Sequence, residues 1–101
     1  MMLREAKTED IPQVLPLVKA MCDLHKSWDP VRFNFKDDVV ERYRGWLTER
    51  STDLRSVFLV AERNGKIIAY LIGTVEPEIP IYWQPECGEI HDVFVLSLIH
   101  I

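Results

Sequence analysis

One stretch gathers groups able to move protons: Gly88-Glu89-Ile90-His91-Asp92-Val93-Phe94-Val95. It reads as a single strand with ionisable residues set among apolar ones. A carboxylate held beside Ile90 on a covered sheet would hold its proton more tightly than in water. Glu89 could then act as a general base, directly or through a water molecule. Strand alternation puts His91 on the same face as Glu89, where it could relay a proton or hydrogen-bond a substrate. The same alternation turns Asp92 to the opposite face. The plainer alternative makes Glu89 a solvated strand-end acid and His91 a structural residue with its bonds satisfied. No Ser/His/Asp or Cys/His set supports a covalent nucleophile.

The rest of the chain must place that strand. Its 101 residues suffice for one domain with a real core. Thr8-Glu9-Asp10 offers a capping oxygen followed by acids, a helix start. Ile11, Val14, Leu15, Val18, Met21, Cys22 and His25 follow at spacings of three and four, one helix face. Pro16 lacks the N–H that the helix interior needs and predicts a kink or a later start. Lys26 to Lys36 breaks the period and reads as a loop. A second helix begins near Asp37, with Val39, Val40, Tyr43, Trp46 and Leu47 on one face. Val57 to Ala61 and Lys66 to Val75 are strands joined at Asn64-Gly65, a strong hairpin signal. Both are apolar on two faces, which predicts a sheet covered on two sides. Gly73 within the return strand predicts a bulge or a close backbone approach. Glu76 to Cys87 holds three prolines among Ile79, Ile81, Tyr82 and Trp83, an apolar loop that either packs as a lid or lines a pocket.

Composition narrows the partners. The net charge is −4 with 28% charged residues, and no cluster of Lys and Arg marks a nucleic-acid surface. No apolar run approaches the roughly 20 residues that span a bilayer. Cys22 and Cys87 form no CxxC pattern, which predicts reduced thiols, a cytoplasmic setting and no metal site.

Three segments, in this order, resemble the front half of the GNAT (GCN5-related) N-acetyltransferase superfamily. Leu3-Arg4-Glu5-Ala6-Lys7-Thr8-Glu9-Asp10 resembles its R-x-A-x-x-x-D opening. Val60-Ala61-Glu62-Arg63-Asn64-Gly65-Lys66-Ile67-Ile68-Ala69-Tyr70 is similar to its second hairpin. Glu89-Ile90-His91-Asp92-Val93-Phe94-Val95 is close to its E-I-x-D-l-y-V fourth strand. The loop from His25 to Phe33, with Asp29-Pro30, resembles one branch. The resemblance implies an α/β (α+β) fold of order β1-α1-α2-β2-β3-β4, a mainly antiparallel sheet packed by helices. It implies acetyl transfer from acetyl-CoA to an amine by direct attack in a ternary complex. Glu89 would be the base and His91 its helper. Backbone at Val93, Phe94 and Val95 would hold the cofactor arm. His25, Trp28, Phe33, Tyr82 and Trp83 would meet the acceptor, a small-molecule or peptide amine. A homodimer of the complete protein fits the resemblance. The alternative is a non-catalytic α/β binding or interaction module.

One family feature has no counterpart. The Arg/Gln-x-x-Gly-x-Gly/Ala loop that holds the cofactor pyrophosphate on backbone N–H groups is absent. Arg42-Tyr43-Arg44-Gly45-Trp46-Leu47 begins like it but lacks the final small residue and lies within a helix pattern. Instead the chain continues as Leu96-Ser97-Leu98-Ile99-His100-Ile101, similar to a translated sequencing adapter. The expectation is therefore a partial domain over residues 1–95 with a non-native tail over 96–101, inactive as it stands.

Overall fold

The computed structural model describes residues 1–76 and 87–96. The expected substrate residues Tyr82 and Trp83, the Pro-rich loop and residues 97–101 of the tail lie outside the described residues. The element order is β1 (Met2–Glu5), a 3-10 turn (Thr8–Asp10), α1 (Ile11–Trp28), α2 (Val39–Thr52), β2 (Ser56–Arg63), β3 (Lys66–Glu76) and β4 (Cys87–Val95). This is the α+β order that the resemblance implies. The four strands form one antiparallel sheet in the order β1-β2-β3-β4.

The R-x-A-x-x-x-D opening has a physical reason. Arg4 leaves β1 and donates two hydrogen bonds to Asp10, at 2.8 and 3.0 Å. Asp10 also accepts the Lys7 N–H at 2.7 Å, so its carboxylate closes the turn that starts α1. Arg4 reaches Glu62 on β2 as well, at 3.1 Å. Ala6 between them is buried, where a larger side chain would push the turn away from the sheet.

The α1 face predicted from spacing is the one buried: Ile11, Val14, Leu15, Val18, Met21 and Cys22 are all inside. The helix continues unbroken through Pro16, with no later start. Burial of this long apolar stripe outweighs the hydrogen bond that the proline lacks. In α2 only Leu47 is fully buried, while Val39, Val40, Tyr43 and Trp46 pack half-buried against the same core. Phe58 and Val60 of β2 and Ile67, Tyr70 and Ile72 of β3 complete it. The β2–β3 hairpin turns at Asn64 and Gly65, both at positive φ (52° and 78°), as a tight two-residue turn requires.

Both helices pack against the sheet, α1 over β3 and β4 and α2 over β2. The predicted cover of the opposite face is not found among the described residues. Val57, Ile90, Val93 and Val95 are exposed there, and together with Leu3, Leu59 and Leu71 they leave that side of the sheet apolar and open.

Candidate active site

The sheet register shapes the site. Ile72 pairs with Asp92, but Gly73 pairs with Ile90, so His91 has no opposite number on β3. It is the extra residue of a β-bulge. A bulge breaks the two-residue alternation and twists the strand. Gly73 belongs to it: a Cβ there would sit 3.3 Å from the Glu89 carbonyl oxygen. The bulge or close approach predicted at this glycine is present, in both forms.

The bulge corrects the expected direction of Asp92. Tyr70 and Ile72 point into the helix-facing core, and their partners Phe94 and Asp92 share that side. Thr74 lies on the same side and pairs with Glu89. The extra residue also brings His91 there: its Nε2 lies 2.7 Å from Thr74 Oγ1 and its ring meets Trp46 edge-on at 5.5 Å. Glu89, His91 and Asp92 therefore all face the helices, whereas strict alternation would send one away.

Between α2 and β4 lies an open cleft of about 590 Å³. Phe35, Tyr43 and Trp46 wall it, His91 and Asp92 form its β4 side, and Asn34, Lys36 and Arg42 stand around it. Arg42 is held by Asp38, at 2.9 and 3.0 Å. Tyr43 and Trp46 meet edge-on at 5.8 Å, which fixes both rings. Burial and then the charge of Asp92 push the phenols of Tyr43 and Tyr70 above their ordinary range, so both remain neutral donors. Burial does the same to the Cys22 thiol, again reinforced by Asp92, which makes it a packing residue and no nucleophile. Tyr70 donates to Met21 Sδ at 3.3 Å.

Glu89 is exposed at the start of β4 and does not line the cleft. Val93 and Val95 sit exposed on the open sheet face, and Phe94 packs toward Tyr70 at 6.5 Å between ring centres. Their common feature is backbone: β4 is the last strand of the described sheet, so one of its edges has no strand partner among the described residues. His25, Trp28 and Phe33 come together as an aromatic cluster, with rings 5.3 and 4.9 Å from His25. The His25 ring is oriented by the Met21 carbonyl, 2.7 Å from Nδ1, which therefore carries the proton. These three residues stop short of the cleft; Phe33 touches it only through Phe35, 6.2 Å away. Phe35, Tyr43, Trp46 and Asp92 were not singled out for the site in the sequence. The available signal was the aromatic side of α2, which also reads as core.

Three or more metal-ligating side chains do not cluster anywhere among the described residues. No described helix is long and apolar enough to cross a membrane.

A family model described as the acetyltransferase (GNAT) family matches residues 18–98. No curated protein matches the sequence. Among solved structures, a tetramutant of the BH1408 protein from Bacillus halodurans superposes with a TM-score of 0.77 at 22% identity. The match covers 96% of this chain and 63% of that one. An aminoglycoside 6'-N-acetyltransferase from Acinetobacter haemolyticus gives 0.65 at 15% identity, covering 95% and 57%. A GCN5-related N-acetyltransferase from Ralstonia eutropha gives 0.64 at 22%, covering 94% and 61%. The chain thus spans about three fifths of the length of the structures it matches.

Proposed function

The chain belongs to the GNAT acetyltransferase family, and on that premise we propose that it serves N-acetylation of an amine with acetyl-CoA as acyl donor, by direct attack in a ternary complex. The observation that supports this reading is the bulge in β4, which turns Glu89, His91 and Asp92 to the helix-facing side of the sheet, where His91 and Asp92 line an aromatic cleft and Glu89 stands exposed at the strand start. Acetyl-CoA supplies the activated acetyl group. Glu89, solvent-facing at the strand start, takes the proton from the acceptor ammonium, directly or through water. His91, held by Thr74 and Trp46, orients the acceptor. The edge of β4 that has no strand partner among the described residues offers backbone groups at Val93 to Val95 to the cofactor arm. The residues present fit the acyl end of that cosubstrate; its pyrophosphate has no matching loop in the 101 residues. We place residues 1–95 within the acetyltransferase domain and its work in the cytoplasm.

The apolar sheet face left open among the described residues favours a second reading, a non-catalytic α/β binding module. Two measurements separate them. The source DNA beyond the codon for Val95 is expected to encode an Arg/Gln-x-x-Gly-x-Gly/Ala loop within about ten residues. Thiol release from acetyl-CoA, followed over a panel of amines, is expected for the chain carrying that continuation and not for residues 1–101. Replacing Glu89 by Gln should lower kcat by about 10²-fold. A stop codon at that point, or a continued chain inert toward every amine, removes the catalytic reading.

A further inference from the structure

We propose that a second copy of the 101-residue chain covers the open face of the sheet, sheet against sheet, with the helices of both copies outward. The pairing is independent of acetyl transfer and of the cleft on the helix side.

A sheet whose strands are apolar on both sides needs cover on both sides. The two helices supply it on one side. On the other, Leu3 of β1, Val57 of β2 and Ile90, Val93 and Val95 of β4 are each half to seven-tenths exposed. Together with Met1 and Val75 they leave about 700 Å² of apolar surface open per copy, more than the roughly 300–600 Å² of the largest patch on an ordinary monomer. Two copies face to face bury about 1,400 Å², within the roughly 1,200–2,000 Å² of stable interfaces.

The lining selects the partner. Arg63 is the only charged side chain among the described residues that line the face, and Tyr70 turns its hydroxyl inward to Met21 Sδ. Nothing else there is polar enough to single out a different protein. An apolar sheet is complementary to its own copy across a twofold axis, and two such sheets stack about 10 Å apart. No acid lines the face, so the repulsion between two chains of net charge −4 acts from a distance and is screened by salt. Pairing through the edge of β4 instead would leave the whole face in water.

Sedimentation velocity on the 101-residue chain, from about 1 to 200 μM, should show monomer giving way to dimer, and more so as salt is raised. Leu3→Lys and Val93→Lys should each weaken the dimer at least about tenfold. Val31→Lys, between the helices and 90% exposed, should leave it unchanged. In the unaltered chain, the methyl groups of Val57 and Val93 should lose contact with a soluble paramagnetic probe as concentration rises. Undiminished contact overturns the proposal whatever the variants do. A chain that stays monomeric at the highest concentration overturns it, and so does assembly without limit beyond two copies. Leu3 lies on β1, at the far side of the sheet from β4. A dimer that withstands Leu3→Lys is therefore joined at the β4 edge, which also overturns it.

Discussion

Replacing Leu47 by Ala tests how α2 is held, and with it the wall of the cleft. Leu47 is the one residue of α2 with no solvent exposure, and it lies in the same core as Val14, Val18, Phe58 and Val60. The other apolar residues on that face are only half-buried, so no neighbour is positioned to fill the space a truncation leaves. A Leu→Ala change in a core that collapses poorly costs about 3–4 kcal/mol. A domain of this size has about 5–15 kcal/mol in total, so a large share would go. At about 4–8 °C per kcal/mol, the melting temperature should fall by about 12 °C or more. Urea unfolding followed by far-UV circular dichroism measures the change, with the midpoint falling and the slope preserved. Val31→Ser is the matching control: Val31 is 90% exposed, and the change should cost less than about 0.5 kcal/mol. A loss below about 1 kcal/mol for the Leu47 variant would mean that α2 is not fastened through this residue, and the position assigned to Tyr43 and Trp46 would lose its support.

Asp10→Asn should cost about 2 kcal/mol at neutral pH, because Asp10 closes the turn before α1 and accepts three hydrogen bonds. The Arg4 guanidinium holds the Asp10 carboxyl below its ordinary value. A depressed folded value stabilises above the unfolded one, near pH 4, and that contribution disappears as pH falls through the folded value. The unaltered chain should therefore lose stability below about pH 4 in acid titrations, and the Asp10→Asn variant should show a flatter acid limb; parallel limbs would contradict this. Gly65→Ala places a Cβ at φ 78° and should cost about 1 kcal/mol by the same urea assay, with an unchanged midpoint as the refuting result. Gly73→Ala brings a Cβ within 3.3 Å of the Glu89 carbonyl, a backbone atom that cannot rotate aside. It should cost about 1 kcal/mol and shift the His91 and Asp92 amide resonances, and unmoved resonances would refute the close approach.

Where the chain's local chemistry decided the outcome, the sequence was enough. Asn64-Gly65 specified the hairpin, because only a two-residue turn at positive φ brings those strands together. The three- and four-residue spacing of α1 specified its buried face. The Arg4–Asp10 pattern was visible as a motif, but that it is an ion pair closing a turn emerges only when the two side chains meet. Pro16 misled, since a local rule about hydrogen bonds was outweighed by burial along the whole helix. The side taken by Asp92 misled for a different reason. Gly73 signalled a bulge, yet a glycine on β3 cannot say that the extra residue is His91 on β4, and one extra residue changes the side of Asp92 while His91 keeps the face of Glu89. The cleft was hidden because half-buried aromatics on a helix look the same in sequence whether they complete a core or wall a site.

The two helix-facing aspartates show why that reversal matters. Asp10 is buried in the turn before α1, and Asp92 is half-buried on the helix-facing side of β4. Asp10 is answered on every side, by two donors of Arg4 and by the Lys7 N–H. Its role ends with the fold. Asp92 is answered more weakly: its charge is met by the neutral phenols of Tyr43 and Tyr70, and its Oδ2 is buried with no hydrogen-bond partner of its own among the described residues. Asp92 stands beside the aromatic walls and on the side of Glu89 and His91 because of one extra residue in β4, and not through any signal in its own neighbours.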